Sequence, residues 1–181
     1  FAGVLTEFWT PNAQVFLERT SHAVRQTCCV WDDAIWFGVP TRHDGTRIDG
    51  RVAPEGAVLV HPGGAEFELL TPSDHEIFGV VIKRHAIAQF CDLMGIRVGW
   101  PTLAQAAWVR VDSDARRQSV SALQRLFSEL AQENSIASHV ASRRALEEAV
   151  LGLLVPFVEA PTDASVDVGA FGRRRAVVEK I

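Results

Sequence analysis

The stretch RQTCCVWDDAIWFGVP, Arg25 to Pro40, and its companion VLVHPGGAEFELLTPSDHEIFGVVI, Val58 to Ile82, decide the fold. Both are rich in β-branched and aromatic residues and are broken by Asp-Asp, Pro-Gly-Gly and Thr-Pro-Ser-Asp, so each reads as short strands joined by turns. Trp31 and Trp36 flank the first turn. Just upstream, Val15 to Val30 reads as one long extended segment that bends. If it stays regular, Phe16, Glu18, Thr20, Gln26, Cys28 and Val30 share a face by alternation; a bulge near His22 would swap the faces. Ala34 to Thr41 places Ile35, Phe37 and Val39 on one side and Trp36 on the other. Arg47 to Val52 is a short exposed strand, and Ala57 to Val60 is apolar throughout, as in a strand buried on both faces. In Glu66-Phe67-Glu68-Leu69 the glutamates face away from Phe67 and Leu69, and Ile77 to Ile82 closes the β region. Residues 1 to 15 add only an apolar edge at Phe8 and Trp9 and a turn at Pro11-Asn12. Turn-separated strands without interleaved helices predict a sandwich or small barrel, whose apolar interior with a few polar groups suits a small molecule.

After Lys83 the period changes from two to that of a helix. His85 to Met94 reads as a short helix ended by Gly95, and Trp108 to Val111 as a last extended piece. Asp112-Ser113-Asp114 caps a helix whose stripe is Val120, Leu123, Phe127 and Leu130. Glu133 to Ser138 forms a loop, and a second helix carries Leu146, Ala149, Val150, Leu153, Leu154 and Phe157 on one side. Two such helices predict an antiparallel hairpin. Its stripe is wide enough to serve a partner subunit, with Leu146, Val150, Leu153 and Phe157 as the expected homodimer interface. The fold class is therefore α+β: a β-barrel with a short helix over residues 1–111, then an antiparallel helical hairpin over 112–160. Residues 161–181 read as a linker and a further helix starting near Phe171.

With 181 residues, 48% of them hydrophobic, the chain can bury one sizeable core. A net charge of −4 argues against nucleic-acid binding by this piece alone, and Arg173 to Arg175 read as the solvated face of a helix start. Cys28, Cys29 and Cys91 are an odd count without CxxC spacing, as expected of reduced thiols in a cytosolic protein. No apolar run approaches the ~20 residues of a membrane span, and no signal peptide is evident. The one methionine is Met94, so the reading expects a fragment of a longer chain.

The spacing of Gly56, Pro62, Gly64 and Phe67 resembles the second motif of cupin barrels, which ends on a metal-binding histidine. Here that position is Phe67. The His-x-His pair of the first cupin motif is absent, since His22, His43, His61, His75, His85 and His139 are dispersed. Transition-metal and zinc sites need three or four converging ligands. The expectation is a cupin-like barrel without a metal site, His61 being structural. No nucleophile elbow, phosphate loop or dinucleotide fingerprint occurs, and Asp74-His75 sits on a turn that favours Asp for backbone reasons. The chain is expected not to be an enzyme. The alternative from another class is a metal-dependent cupin isomerase or dioxygenase.

The barrel, the hairpin, the linker and the closing FGRRRAVVEKI together resemble the N-terminal sensor part of AraC/XylS-type transcription regulators. More narrowly, FAGVLTE, VFLERTSHAVRQTCCVW, IWFGVP, HPGGAEFELLTPSD and GVVI are similar to the ethanolamine-responsive activators of that family, with Asp32 and Asp33 departing from the pattern. The resemblance implies a cytoplasmic, dimeric bacterial activator that senses ethanolamine, with adenosylcobalamin as a possible second effector. It implies DNA contact only through a helix-turn-helix domain beyond Ile181. Another small amine or alcohol would suit the same architecture. Cobalamin is too large for a small barrel's interior, so its contact is expected on an outer surface or outside these residues. Ethanolamine offers a cation and a hydroxyl on a short stem, so its site needs a carboxylate or aromatic faces for the ammonium and a polar group for the hydroxyl. Trp31 and Trp36 supply faces. Glu18 is the inward acid if its strand is unbent, Glu66 the alternative if it folds over the barrel mouth, Gln26 the partner of the hydroxyl, and Phe67 the residue where cupins place an inward ligand.

Overall fold

The computed structural model describes residues 2–42, 45–105, 108–132 and 140–159. Among the described residues ten strands lead into and between four helices: β1 Gly3–Trp9, β2 Ala13–Thr20, β3 Val24–Cys29, β4 Ala34–Pro40, β5 Arg47–Ile48, β6 Arg51–Val52, β7 Ala57–Pro62, β8 Glu66–Thr71, β9 His75–Lys83, α1 Arg84–Met94, α2 Trp100–Gln105, β10 Trp108–Arg110, α3 Ser113–Gln132 and α4 Val140–Val158. The expected α+β class holds. The β part is two facing sheets: six strands in the order β1-β2-β9-β4-β7-β10, and four in the order β3-β8-β5-β6. All pairings are antiparallel, and among the described residues none closes the two sheets into one ring.

Alternation divides each central strand between two cores. On the outer face of the six-stranded sheet, Val15, Leu17, Phe37, Val39, Phe78 and Val80 pack with Leu123, Phe127, Val150, Leu154 and Phe157 of the helices. Phe127 stands 5.6 Å from both Phe8 and Phe78, centroid to centroid. On the inner face, Trp36, Leu59, Ile77 and Val81 meet Ile48, Phe67 and Leu69 of the four-stranded sheet, with Phe16, Cys28 and Trp31 at the margin. All seven residues of β4 are buried because both its faces are covered.

Several expectations are refined. Val15 to Val30 is two strands: Ser21 to Ala23 turn the chain from the larger sheet into the smaller one. The apolar start of the chain is an edge strand, β1, and Trp100–Gln105 is a short helix that the sequence reading did not anticipate. Arg47 to Val52 is a minute hairpin, turned by Asp49 and Gly50 at φ 48° and 74°, the left-handed pair such a turn requires. Gly95 ends α1 in the left-handed region at φ 68°, and Ile96 N–H donates to the Cys91 carbonyl at 2.8 Å. Asp112 caps α3, its Oδ1 accepting from Asp114 and Ala115 N–H at 2.9 and 3.1 Å. The buried Arg116 guanidinium donates to the Pro40 carbonyl, tying α3 to the end of β4. Glu147 of α4 accepts from Thr10 Oγ1 at 2.6 Å and from Asn12 N–H and Nδ2 at 3.0 and 2.8 Å, fastening the helix to the β1–β2 turn.

The hairpin stripe needs a correction. Val150 and Phe157 are 0% and 1% exposed within this single chain, and Leu146 and Leu153 are half-buried against the same core. The apolar side assigned to a partner subunit is covered by the chain's own sheet and helices. The loop expected at 133–138 and the linker and helix expected at 161–181 lie outside the described residues. Among the described residues no helix is long and apolar enough to cross a membrane.

Candidate functional site

The inner face of the larger sheet is built around two glycines. Gly38 and Gly79 pair across β4 and β9, and Phe16 pairs with Gly79 from the other side. A Cβ at Gly79 would lie 2.0 Å from Cζ of Phe16, and one at Gly38 2.4 Å from Cη2 of Trp36. The absence of side chains at these positions lets the two rings lie down on the sheet. The Trp36 ring meets Phe67 of the opposite sheet at 5.0 Å, and His61 stacks on the other side of Phe67 at 4.2 Å and 22°. Phe67 is thus inward, as the cupin resemblance implied.

Beside this aromatic block lies a polar group. Gln26 Nε2 donates to Glu18 Oε1 at 2.5 Å, and the Cys28 thiol faces Gln26 Oε1 at 3.9 Å. Glu18 comes from the larger sheet and Gln26 from the smaller, so the hydrogen bond spans the gap between them. Among the described residues Glu18 Oε2 has no hydrogen-bond partner, which leaves the acid able to accept from a donor. Burial, and secondarily the Glu18 carboxylate, pushes the Cys28 thiol up to about 11. Glu18, Gln26 and Cys28 are each half-buried. They stand near the side where the edge strands β1 and β3 leave the sandwich open. At that opening Trp9 and Trp31 meet at 5.7 Å, and Gln14 Nε2 donates to Glu7 Oε2 at 2.7 Å.

The expected residues therefore separate. Glu18, Gln26, Trp36 and Phe67 all lie on inner faces, but they form two groups: the ladders set Glu18 across from Ile77 and Trp36 across from Val81, four residues further along the intervening β9, so Trp36 belongs with Phe67 and His61 and not with the acid. Trp31 lies at the rim with Trp9 as its partner. Glu66 does not fold over the mouth: it is exposed on the outer face of β8, opposite the exposed Cys29. Sequence reasoning missed Phe16 as a wall of the site and Glu7 and Trp9 as its rim; the signal for Phe16 was its period-two spacing from Glu18. His61 is half-buried and its charge is disfavoured by burial, against weaker support from the Pro62 carbonyl and Asp49. Its Nδ1 lies 2.7 Å from the Pro62 carbonyl, which can only accept, so Nδ1 carries the proton. Among the described residues no three His, Cys, Asp or Glu side chains converge as a metal-ion site would need. None of the cavities among the described residues is lined by Glu18 itself, although Thr20 and His75 line one of them. That one, about 560 Å³, lies at the ends of β2 and β9, and another, about 270 Å³, is lined by Pro40, Arg42, Thr46, Ala53 and Glu55.

No protein-family model matches the chain. Among solved structures, the crystal structure of the AraC-like transcriptional activator CuxR is similar over 98% of this chain, at 14% identity and a TM-score of 0.57. The chain shares the fold of CuxR. It spans 64% of that protein's length. An RmlC-like cupin protein from Desulfovibrio desulfuricans overlaps 44% of this chain and 81% of its own, at 17% identity and a TM-score of 0.38. The EutQ protein of Clostridium difficile overlaps 45% and 68%, at 18% identity and a TM-score of 0.33. The last two overlaps are too partial to compare whole folds.

Proposed function

We propose that this chain is the cytoplasmic, non-catalytic sensor part of an AraC-type transcriptional activator, and that its inter-sheet site takes ethanolamine. The observation that carries the reading is the Glu18–Gln26 pair between the sheets, with one carboxylate oxygen still able to accept and with Phe16 two residues along the same strand face. An ammonium is a pure donor, and a partly desolvated carboxylate is its natural partner. Phe16, on the same strand face, would add a cation–π contact worth about 0.5–2 kcal/mol. The likeness to CuxR in fold supports the regulatory assignment, and the resemblance of the stretches quoted above to ethanolamine-responsive activators supports the effector. In this reading DNA is bound by a separate helix-turn-helix domain, the active species is a homodimer, and adenosylcobalamin acts as a second effector outside the sandwich.

Titration calorimetry of the wild type, Glu18→Gln and Glu66→Gln with ethanolamine tests the site. Glu18→Gln is expected to weaken binding by tenfold or more, a hydrogen bond to a charged group being worth about 1.5–3 kcal/mol, and Glu66→Gln to leave it unchanged. Equal affinity of Glu18→Gln and wild type would remove Glu18 from the site. Absorbance after equilibrium dialysis against adenosylcobalamin tests the second effector.

A further inference from the structure

We propose that Thr20 and Thr71 form a hydroxyl-binding subsite at the closed end of the same interior, so that the ligand is a short amino alcohol read at both ends. The proposal rests on the Glu18 reading above for the ammonium, and on a separate observation for the hydroxyl. Thr20 and Thr71 are 8% and 1% exposed, and the buried Oγ1 of each has no hydrogen-bond partner among the described residues. Buried hydroxyls are nearly always satisfied, so two orphans on adjacent crossovers ask for an external partner.

The topology brings them together. Thr20 ends β2 and Val24 begins β3, so the turn between them crosses from the larger sheet to the smaller. Thr71 ends β8 and His75 begins β9, so that turn crosses back. The ladders pair Thr20 with His75 and Val24 with Thr71, and Asp74 N–H reaches the Ser21 carbonyl at 3.4 Å, so both crossovers lie side by side. They close this end of the sandwich. Alternation without a bulge keeps Thr20 on the face of Phe16 and Glu18, and Thr71 on the face of Phe67 and Leu69.

The two groups call for different ligand atoms. Glu18 takes a cation. A threonine hydroxyl both donates and accepts, and so does an alcohol, so a pair of hydroxyls can satisfy both capacities of one ligand hydroxyl. Glu18 and Thr20 are two residues apart along one strand face, about 6.7 Å between Cα atoms, a span that a two- or three-carbon amino alcohol bridges with one hydrogen bond at each end. Gln26 then belongs to the acid, holding Glu18 in place, and the ligand's hydroxyl goes to the threonines instead.

Calorimetry with ethanolamine and with ethylamine, which lacks the hydroxyl, tests this on wild type, Thr20→Val and Thr71→Val. Valine keeps the volume and removes an orphan hydroxyl, so the urea midpoint of each variant is expected to be unchanged or higher. Wild type should prefer ethanolamine by about tenfold or more, the worth of one good hydrogen bond. Each valine variant should lose about tenfold for ethanolamine and nothing for ethylamine. Wild-type binding of the two amines with equal affinity, or variants that keep the preference, overturns the subsite and leaves the Glu18 reading standing. Wild type that binds neither amine overturns both.

Discussion

Gly79→Ala tests the construction of the site from its floor. The new Cβ would lie 2.0, 2.3 and 2.4 Å from three ring carbons of Phe16, where ordinary contacts run from 3.4 to 4 Å. The ring must therefore withdraw by about 1.5 Å, and overpacking of this kind costs about 1–3 kcal/mol. Against that, alanine recovers about 0.5–1 kcal/mol of the backbone entropy that a strand glycine forfeits. The expected net loss is about 1–2 kcal/mol, or a few degrees in Tm for a domain of this size. In a Phe16→Ala background the clash is gone, so the same Gly79→Ala change should stabilise by about 0.5–1 kcal/mol. Urea unfolding of the four proteins, compared at a common slope, gives the coupling as the difference. An identical change in both backgrounds would refute the placement of the Phe16 ring over Gly79, and with it the wall beside Glu18.

Glu147→Ala removes the acceptor of three hydrogen bonds from Thr10 and Asn12. It should cost about 2–3 kcal/mol in urea unfolding, whereas its exposed neighbour Glu148→Ala should stay within about 0.5 kcal/mol. Equal losses would mean that the helix is not fastened there. Iodoacetamide at pH 8 should label exposed Cys29 first, because the Cys28 thiol, pushed up to about 11, holds its proton. Glu18→Gln should speed the labelling of Cys28, and an unaltered rate by mass spectrometry would separate the two residues. Since the folded thiol titrates above the ordinary 9.0, its contribution to stability is complete below about pH 9 and is lost as pH rises toward about 11. Cys28→Ala should flatten that alkaline limb of the unfolding midpoint.

Much of this was legible in the sequence because it follows from period and caps. Ile35, Phe37 and Val39 against Trp36, and Phe67 and Leu69 against Glu66 and Glu68, fall on the faces that alternation assigns. Gly95 and Asp112 mark helix ends because each satisfies a specific backbone group. Glu18 and Gln26 share an interior although the chain turns between them: two sheets that face each other make inward the common direction of both strands. β1 was not legible, since an edge strand with Val4, Leu5 and Trp9 all about half exposed shows no alternation to read. Nor was α2, six residues long with Pro101 in its first turn, below the length at which a helical period can be counted. The break at Ser21 to Ala23 carries no Gly or Pro, so the turn was hidden and Thr20 lost its meaning as the last residue before a crossover.

The width of the α4 stripe misled for a different reason, and the error redirects the dimer test. Leu146, Val150, Leu151, Leu153, Leu154, Phe157 and Val158 cover most of the helix circumference, because α4 is contacted by the sheet, by α1 and by α3 at once. Phe157 meets Phe37 of β4 at 6.4 Å, and the Leu153 carbonyl accepts from Ser119 Oγ at 3.3 Å. A wide stripe thus reports several neighbours within one chain and does not require a second chain. Leu153→Asp is accordingly expected to lower the unfolding midpoint, as a charge placed against a core does, and is no clean probe of assembly. The surface left for a partner on this helix is the exposed side bearing Ala145, Glu148, Ala149 and Gly152. If the proposed homodimer uses the hairpin, Ala149→Arg should dissociate it in sedimentation velocity at tens of micromolar while leaving the free energy of urea unfolding within about 0.5 kcal/mol. A dimer that survives Ala149→Arg would place the interface elsewhere, and wild-type chain that sediments as a monomer at that concentration would remove the homodimer from the proposal.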